Sequence, residues 1–200
     1  MKVLVIGATG TIGCAVARAL RASHSVVGAS RGGPVRIDLE DPASMDALFE
    51  KVPDLDAVVC CAASGPLVDL ASVTDTECAE GVRGKLMGQV ALARRAVRHV
   101  RDGGSVTLTG GTFAAPLPGG SLGALVNSGL EGFVRNAAGE LPRNIRINLI
   151  SPGWIKETLE GLGAAGAALA GGAAGTPVAE VAHAYVQAVE GQMRGQVIRP

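Results

Sequence analysis

The chain has 200 residues, 48% of them hydrophobic and only 2% aromatic, and its 18 Lys and Arg balance 18 Asp and Glu to a formal net charge of zero. That length can bury a substantial core in one domain, and the neutral balance, with no basic stripe and no interleaved aromatics, argues against a nucleic-acid partner. No apolar run reaches the roughly 18 to 20 residues that a membrane span needs, and Met1-Lys2 leads into a short apolar run and then glycine instead of a secretory leader, so a cytoplasmic protein is expected.

Residues 2–6, Lys-Val-Leu-Val-Ile, read as a buried parallel strand covered on both faces. They run straight into Gly7-Ala-Thr-Gly10-Thr-Ile-Gly13, and a helical pattern follows over 15–21. Such a helix would point its N-terminal amides and positive dipole end at a bound pyrophosphate. The three glycines then differ in role. Gly7 makes the tight turn, Gly10 lets the backbone approach phosphates, and Gly13 lets helix and strand pack closely. Gly7, Thr9, Gly10, Thr11, Ile12 and Gly13 are therefore candidate cofactor-binding residues, because the loop stands between strand and helix at the start of a βαβ unit.

Apolar strands and helical stretches alternate down the rest of the chain, the pattern of an α/β fold. Residues 25–30 form a second strand and 35–38 a short third one, after which Asp41 caps a helix with Pro42 in its first turn. Residues 56–61 form a fourth strand. The capping box Thr74-Asp-Thr-Glu77 opens a helix to about Arg101, with Val82, Leu86, Val90, Ala93, Val97 and Val100 along its apolar stripe. A strand at 105–109, a helix at 121–139, a strand at 145–150, a helix at 178–190 and a short strand at 196–198 complete the pattern. Right-handed crossovers place these strands in one doubly wound, mostly parallel sheet with helices on both faces, a single dinucleotide-binding domain over residues 1–200. Residues 161–175 are made only of Gly, Ala and two Leu, and read as a loose helix or a mobile loop, either a lid or flexible filler.

The end of the second strand bears on the cofactor. A site for NAD places a carboxylate there to accept the ribose hydroxyls, but this chain reads Ala29-Ser30-Arg31-Gly32-Gly33. Arg31 offers a guanidinium that grips a 2′-phosphate and Ser30 adds a hydroxyl, so NADP(H) is the expected cofactor. Cys14, Cys60, Cys61 and Cys78 show neither metal-ligand nor disulfide spacing and read as buried small hydrophobes, and His24, His99 and His183 read as scattered surface residues. No metal site is expected.

Together these residues resemble the short-chain dehydrogenases/reductases over nearly the whole chain. The loop at Gly7 to Gly13 looks like that family's glycine-rich turn in a divergent form, and Asp38-Leu39 resembles the Asp-aliphatic pair that meets the adenine ring. Cys61-Ala62-Ala63-Ser64-Gly65 stands where the family usually has Asn-Ala-Gly, and Pro152-Gly153, within Ile147 to Ile155, looks like the motif beside the nicotinamide. The resemblance thus adds Asp38, Leu39, Cys61, Ala62, Ala63, Pro152 and Gly153 to the candidate cofactor contacts, and implies a homodimer or homotetramer paired through the helices that start near Thr74 and Ser121. Gly84, Gly88, Gly129 and Gly132 would permit that approach, or serve packing within one chain.

The chemistry departs from the resemblance. Active members carry a Ser, a Tyr and a Lys, with an Asn on the preceding helix; anchored on Leu130-Glu131-Gly132-Phe133, these fall on Gly110, Gly123, Asn127 and Lys85. The one tyrosine of the chain, Tyr185, lies in the last helix. Lys85, at the edge of the apolar stripe, is a candidate substitute proton donor if burial lowers its pKa. Asn127 is a candidate for a substrate oxygen, and Thr109, with Thr112, for the proton route. Two readings stand: an NADP(H)-dependent oxidoreductase acting on a small carbonyl or alcohol by an unusual proton route, or an NADP(H)-binding sensor or scaffold without turnover. Trp154 either walls a pocket or fills the core.

Overall fold

The computed structural model describes every residue except 63, 64 and 66. Its six strands are β1 (Lys2–Ile6), β2 (Ser25–Ala29), β3 (Leu55–Cys60), β4 (Val100–Thr109), β5 (Arg146–Ile150) and β6 (Val197–Ile198), all parallel and ordered β2-β1-β3-β4-β5-β6. The helices are α1 (Thr11–Leu20), α2 (Pro42–Lys51), α3 (Asp75–Val82), α4 (Gln89–His99), α5 (Ser121–Glu140), α6 (Lys156–Leu162), α7 (Ala164–Leu169) and α8 (Val178–Glu190).

The strands read as continuous apolar runs because both of their faces are covered. On β1, Leu4 and Ile6 enter a core shared with α2, α4 and α5, while Val3 and Val5 enter a second core with α1 and α8. All four are fully buried. The chain passes from β1 to β2 on one side and from β2 to β3 on the other, so the order reverses at the carboxyl ends of β1 and β3. That reversal opens a crevice, the place where open α/β sheets bind ligands. Its walls begin at Gly7 and Cys61.

Three expected elements differ from those observed. The third strand, expected at 35–38, shrinks to one parallel bridge between Ser30 and Arg36, since Gly32-Gly33-Pro34 turns the chain back at once and Ile37 drops into the core. The long helix from Thr74 breaks into α3, a π-helical turn at Arg83–Gly88 and α4, and stops at His99, where β4 begins earlier than expected. The Gly/Ala segment takes the helical alternative in part: α6 and α7 stack against one another, with Gly166 so close to Leu159 O that no Cβ would fit. The capping box of Thr74 and Glu77 and the Asp41 cap form as expected.

Candidate functional site

The glycine loop is shaped by contacts that exclude side chains. Gly7 takes φ +79°, and a Cβ there would lie 2.7 Å from Ala62 N and 2.9 Å from Cys61 C. A Cβ on Gly13 would lie 2.0 Å from Gly7 O, so helix α1 is seated on the turn that precedes it. Gly10 is different: it is exposed, has an ordinary φ of −82°, and a Cβ on it would meet nothing of the protein closer than 3.5 Å. Any restriction on it comes from outside the chain. No side chain caps α1, which leaves its first-turn amides at Thr11, Ile12 and Gly13 facing the crevice mouth. Thr9 and Thr11 are exposed beside them and Ile12 is half-buried.

Across the crevice, Cys61 N donates to Ile6 O, which extends the β1–β3 pairing and brings Cys61 and Ala62 against Gly7. Ala63 lies outside the described residues. Cys60 and Cys61 are not reactive thiols, because burial pushes Cys60 up to about 12 and Cys61 well above its ordinary value.

At the end of β2, Ser30 is buried and its Oγ has no hydrogen-bond partner. Ser30 N donates to Val35 O and Ile37 N to Ser30 O, a closure that sets Arg36 beside Ser30 as well as Arg31. Both arginines are exposed, and among the described residues neither forms an ion pair. Arg36 had no signal in the sequence, since its nearness depends on the bridge. Asp38 Oδ1 accepts from Glu40 N, its own N–H donates to Ser44 Oγ, and half-buried Leu39 packs against the core below. Gly84 and Gly88 are filled by this same loop: Cβ atoms there would lie 2.8 Å from Glu40 Oε1 and Leu39 O respectively. Gly129 likewise receives Leu86, so three of the four glycines considered for an interface serve packing within the chain, and only Gly132 faces open space.

The proton-route candidates separate. Lys85 sits in the π-helical turn and its Nζ donates to Gly110 O at 3.0 Å. Burial lowers its pKa from 10.5 to about 8. Asn127, on α5, is 7% exposed; its side chain flanks Gly111 and Oδ1 has no partner. Gly123 is a buried helix residue. Thr109 points to the opposite face of the sheet: it is 1% exposed, and its Oγ1 donates to Cys60 O while accepting from Tyr185 OH. Tyr185 is fully buried, and burial pushes its hydroxyl well above the ordinary phenol range. Both hydroxyls stitch β3, β4 and α8 together. Tyr185→Phe should therefore cost about 1 kcal/mol of stability and leave turnover at the wild-type value, as thermal unfolding and steady-state rates would show.

Two further neighbours carry no motif in the sequence. Gln89 is fully buried and bonds both backbone groups of Thr109, its Oε1 accepting from Thr109 N at 2.9 Å and its Nε2 donating to Thr109 O at 2.9 Å. A polar residue one helical turn past Lys85, on the inward stripe, was the available signal. Ser151 is also fully buried, with an unpartnered Oγ 3.4 Å from where a Cβ on Gly110 would stand.

A cleft of about 580 Å³ runs from Gly111 and Asn127 along Ser128, with Phe113 and Pro116 on one wall, and closes at an ion pair of 2.6 Å between Glu131 and Arg199. Trp154 is half-buried with its ring 6.2 Å from that of Phe113, so it walls the loop that forms this cleft. Pro152 is buried and its carbonyl accepts from Thr112 N, while Gly153 faces open space. A larger groove of about 670 Å³, lined by Val68, Leu70, Cys78, Leu122 and Leu125, lies between α3 and α5 and is almost wholly apolar. Ser121, shared with the first cleft, is the one hydroxyl among its lining residues. No described helix is long and apolar enough to cross a membrane, and no three metal-ligating side chains gather among the described residues.

Comparison with known proteins agrees with this geometry. No curated protein matches the chain. The structure of the protein lin1944 from Listeria innocua superposes with a TM-score of 0.94 at 33% identity, over 100% of this chain and 98% of that one. A small-chain dehydrogenase in complex with NADPH superposes with a TM-score of 0.86 at 27% identity, over 100% of this chain and 96% of that one. A dehydrogenase/reductase from Sinorhizobium meliloti, 22% identical, shares the fold with a TM-score of 0.83 over 99% of this chain and 92% of that one. The family model described as enoyl-(acyl carrier protein) reductase matches residues 9–188. With the glycine turn, the parallel sheet and the strand order in place, the chain belongs to the short-chain dehydrogenase/reductase family.

Proposed function

We propose that this protein is an NADP(H)-dependent oxidoreductase that moves hydride to or from a small carbonyl or alcohol bound in the Asn127 cleft. The observation that carries the reading is the loop itself: Gly7 and Gly13 are held by the chain's own packing, whereas Gly10 and the uncapped start of α1 present open backbone to the crevice. Gly7, Thr9, Gly10, Thr11, Ile12 and Gly13 would bind the pyrophosphate, with Asp38, Leu39, Cys61, Ala62 and Ala63 around the adenosine and Pro152 and Gly153 beside the nicotinamide. The unpartnered Ser30 Oγ and the free guanidinium of Arg31 fit a 2′-phosphate. A relative 27% identical is described in complex with NADPH. NADP(H), once bound, supplies the hydride.

The residues of the chain do the rest. Lys85 gives the proton to the developing alkoxide, Asn127 orients the substrate oxygen, and Thr109 acts from below, fixing the strand end that carries Gly110. The protein would work in the cytoplasm as a homodimer or homotetramer whose copies meet on the face bearing exposed Leu70 and Leu125 and open Gly132.

Arg31→Ala should weaken NADPH binding about 10- to 100-fold, the worth of a charge-assisted hydrogen bond to phosphate, and leave NADH binding unchanged. Titration of both cofactors by fluorescence reads this, and equal losses for the two would remove Arg31 from the phosphate site. The reaction class is tested by NADPH oxidation across a carbonyl panel; tight NADPH binding with no turnover of any member would support the sensor or scaffold reading.

A further inference from the structure

We propose that Gln89 is a positioning residue for Lys85, holding the π-helical turn against the end of β4 so that the Lys85 ammonium is fixed at Gly110 O. The inference rests on the proposed role of Lys85, and its observations are independent of it. In an α-helix the N–H of residue 89 would bond the carbonyl of residue 85. Here Gln89 N donates to Leu86 O instead, and the side-chain Nε2 of Gln89 donates to the Lys85 carbonyl at 3.0 Å. The same Nε2 donates to Thr109 O, and Oε1 accepts from Thr109 N. One buried amide therefore ties the backbone of Lys85 to the strand residue that precedes Gly110, and Lys85 Nζ closes the ring by donating to Gly110 O.

This device explains why the turn is π-helical at this position. The wider turn displaces one carbonyl from the helical ladder, and such bulges collect at functional sites. The Nε2 donor of Gln89 reaches the part-buried Lys85 carbonyl in that wider turn. Gln89 satisfies it only while the turn and the strand end keep their spacing, so the amide works as a gauge between the two. The elements packed here carry Glu40, set against Gly84, Arg83 on the same turn, Asp75, Glu77, Cys78 and Glu80 on α3, Arg94, Arg95, Arg98 and His99 on α4, and Glu131, Arg135 and Glu140 on α5. Lys85 pairs with none of them among the described residues, and burial is the cause of its lowered pKa.

The chain has four lysines, Lys2, Lys51, Lys85 and Lys156, so reductive methylation with 13C-formaldehyde gives few enough resonances to follow each through a pH titration. Lys85→Arg assigns the signal. In wild type it should titrate near 8. In Gln89→Met, and to a smaller extent in Gln89→Asn, whose shorter amide spans only part of the bridge, the midpoint should rise by about one unit or more toward the value of a solvated lysine. Gln89→Asn keeps an amide in the core, so the test survives if Gln89→Met does not fold. An unchanged Lys85 midpoint in a folded Gln89 variant overturns the positioning role. A wild-type midpoint near 10.5 would instead overturn the proposed role of Lys85, and the two failures are thus separate.

Discussion

Lys85→Met should lower carbonyl reduction about 10²- to 10⁴-fold, the worth of a positioned general acid, while NADPH affinity stays at the wild-type value. The ammonium is half-buried, hydrogen-bonded to Gly110 O and lowered to about 8 by desolvation, close to the working pH that proton transfer favours. Reduction needs the protonated form, so its rate should hold below about pH 8 and fall above it, and alcohol oxidation should show the opposite limb. The variant should lose that limb. A stability measurement gives a second, independent reading. Because the folded-state pKa lies below the unfolded value of 10.5, the unfolded chain binds more protons between about pH 8 and 10.5, and wild-type stability from this group rises with pH across that window. Lys85→Met removes that rise, and the difference between the two proteins isolates it from the opposing effect of the raised Cys60 thiol. If turnover and its pH profile survive in the variant, the proton comes from elsewhere.

Gly13→Ala is the second large effect, and it should act on the fold and on cofactor binding together. The added methyl would stand 2.0 Å from Gly7 O and 2.6 Å from Gly7 C, both backbone atoms that have no rotamer to change. Either α1 backs away from the turn or Gly7 gives up its left-handed φ of +79°, and each outcome moves the first-turn amides off the crevice. Overpacking of this kind costs about 1–3 kcal/mol, which denaturant unfolding would register. NADPH binding should be lost below detection in calorimetry. Gly10→Ala is the informative comparison. A Cβ at Gly10 meets no protein atom closer than 3.5 Å, so that variant should keep wild-type stability and lose NADPH affinity alone. A Gly10→Ala protein that binds NADPH as well as wild type would show that the ligand does not pass over this loop.

The sequence made the frame legible because the frame rests on short-range signals. Three glycines between an apolar run and a helical pattern, the Asp41 and Thr74 caps, and unbroken apolar strands each reflect local physics, and the structure keeps all of them. What escaped depended on pairing between distant segments. The bridge that replaces the strand at 35–38 exists because Gly32-Gly33-Pro34 returns the chain to Ser30, a geometry with no periodic signature. The π-helical turn interrupts a stripe whose spacing looks regular, and there Gln89 N bonds Leu86 O while its side chain bonds Lys85 and Thr109. Thr109 suggests a route for protons from its place beside Gly110, yet strand alternation turns it to the α8 side, where Tyr185 meets it. The missing Ser, Tyr and Lys are plain in the sequence. The gathering of Lys85, Asn127 and Ser151 around Gly110 and Gly111 becomes visible only with the strands and helices assembled.

Hydride transfer at this crevice is the claim on which the other roles depend. NADPH deuterated at the transferable C4 position, incubated with the protein and a panel of small carbonyls, gives the most direct test when products are read by mass spectrometry. Wild type should yield an alcohol carrying one deuterium, and Lys85→Met or Gly13→Ala none above background. Saturating binding of the labelled NADPH with no label in any product would contradict hydride transfer by this protein.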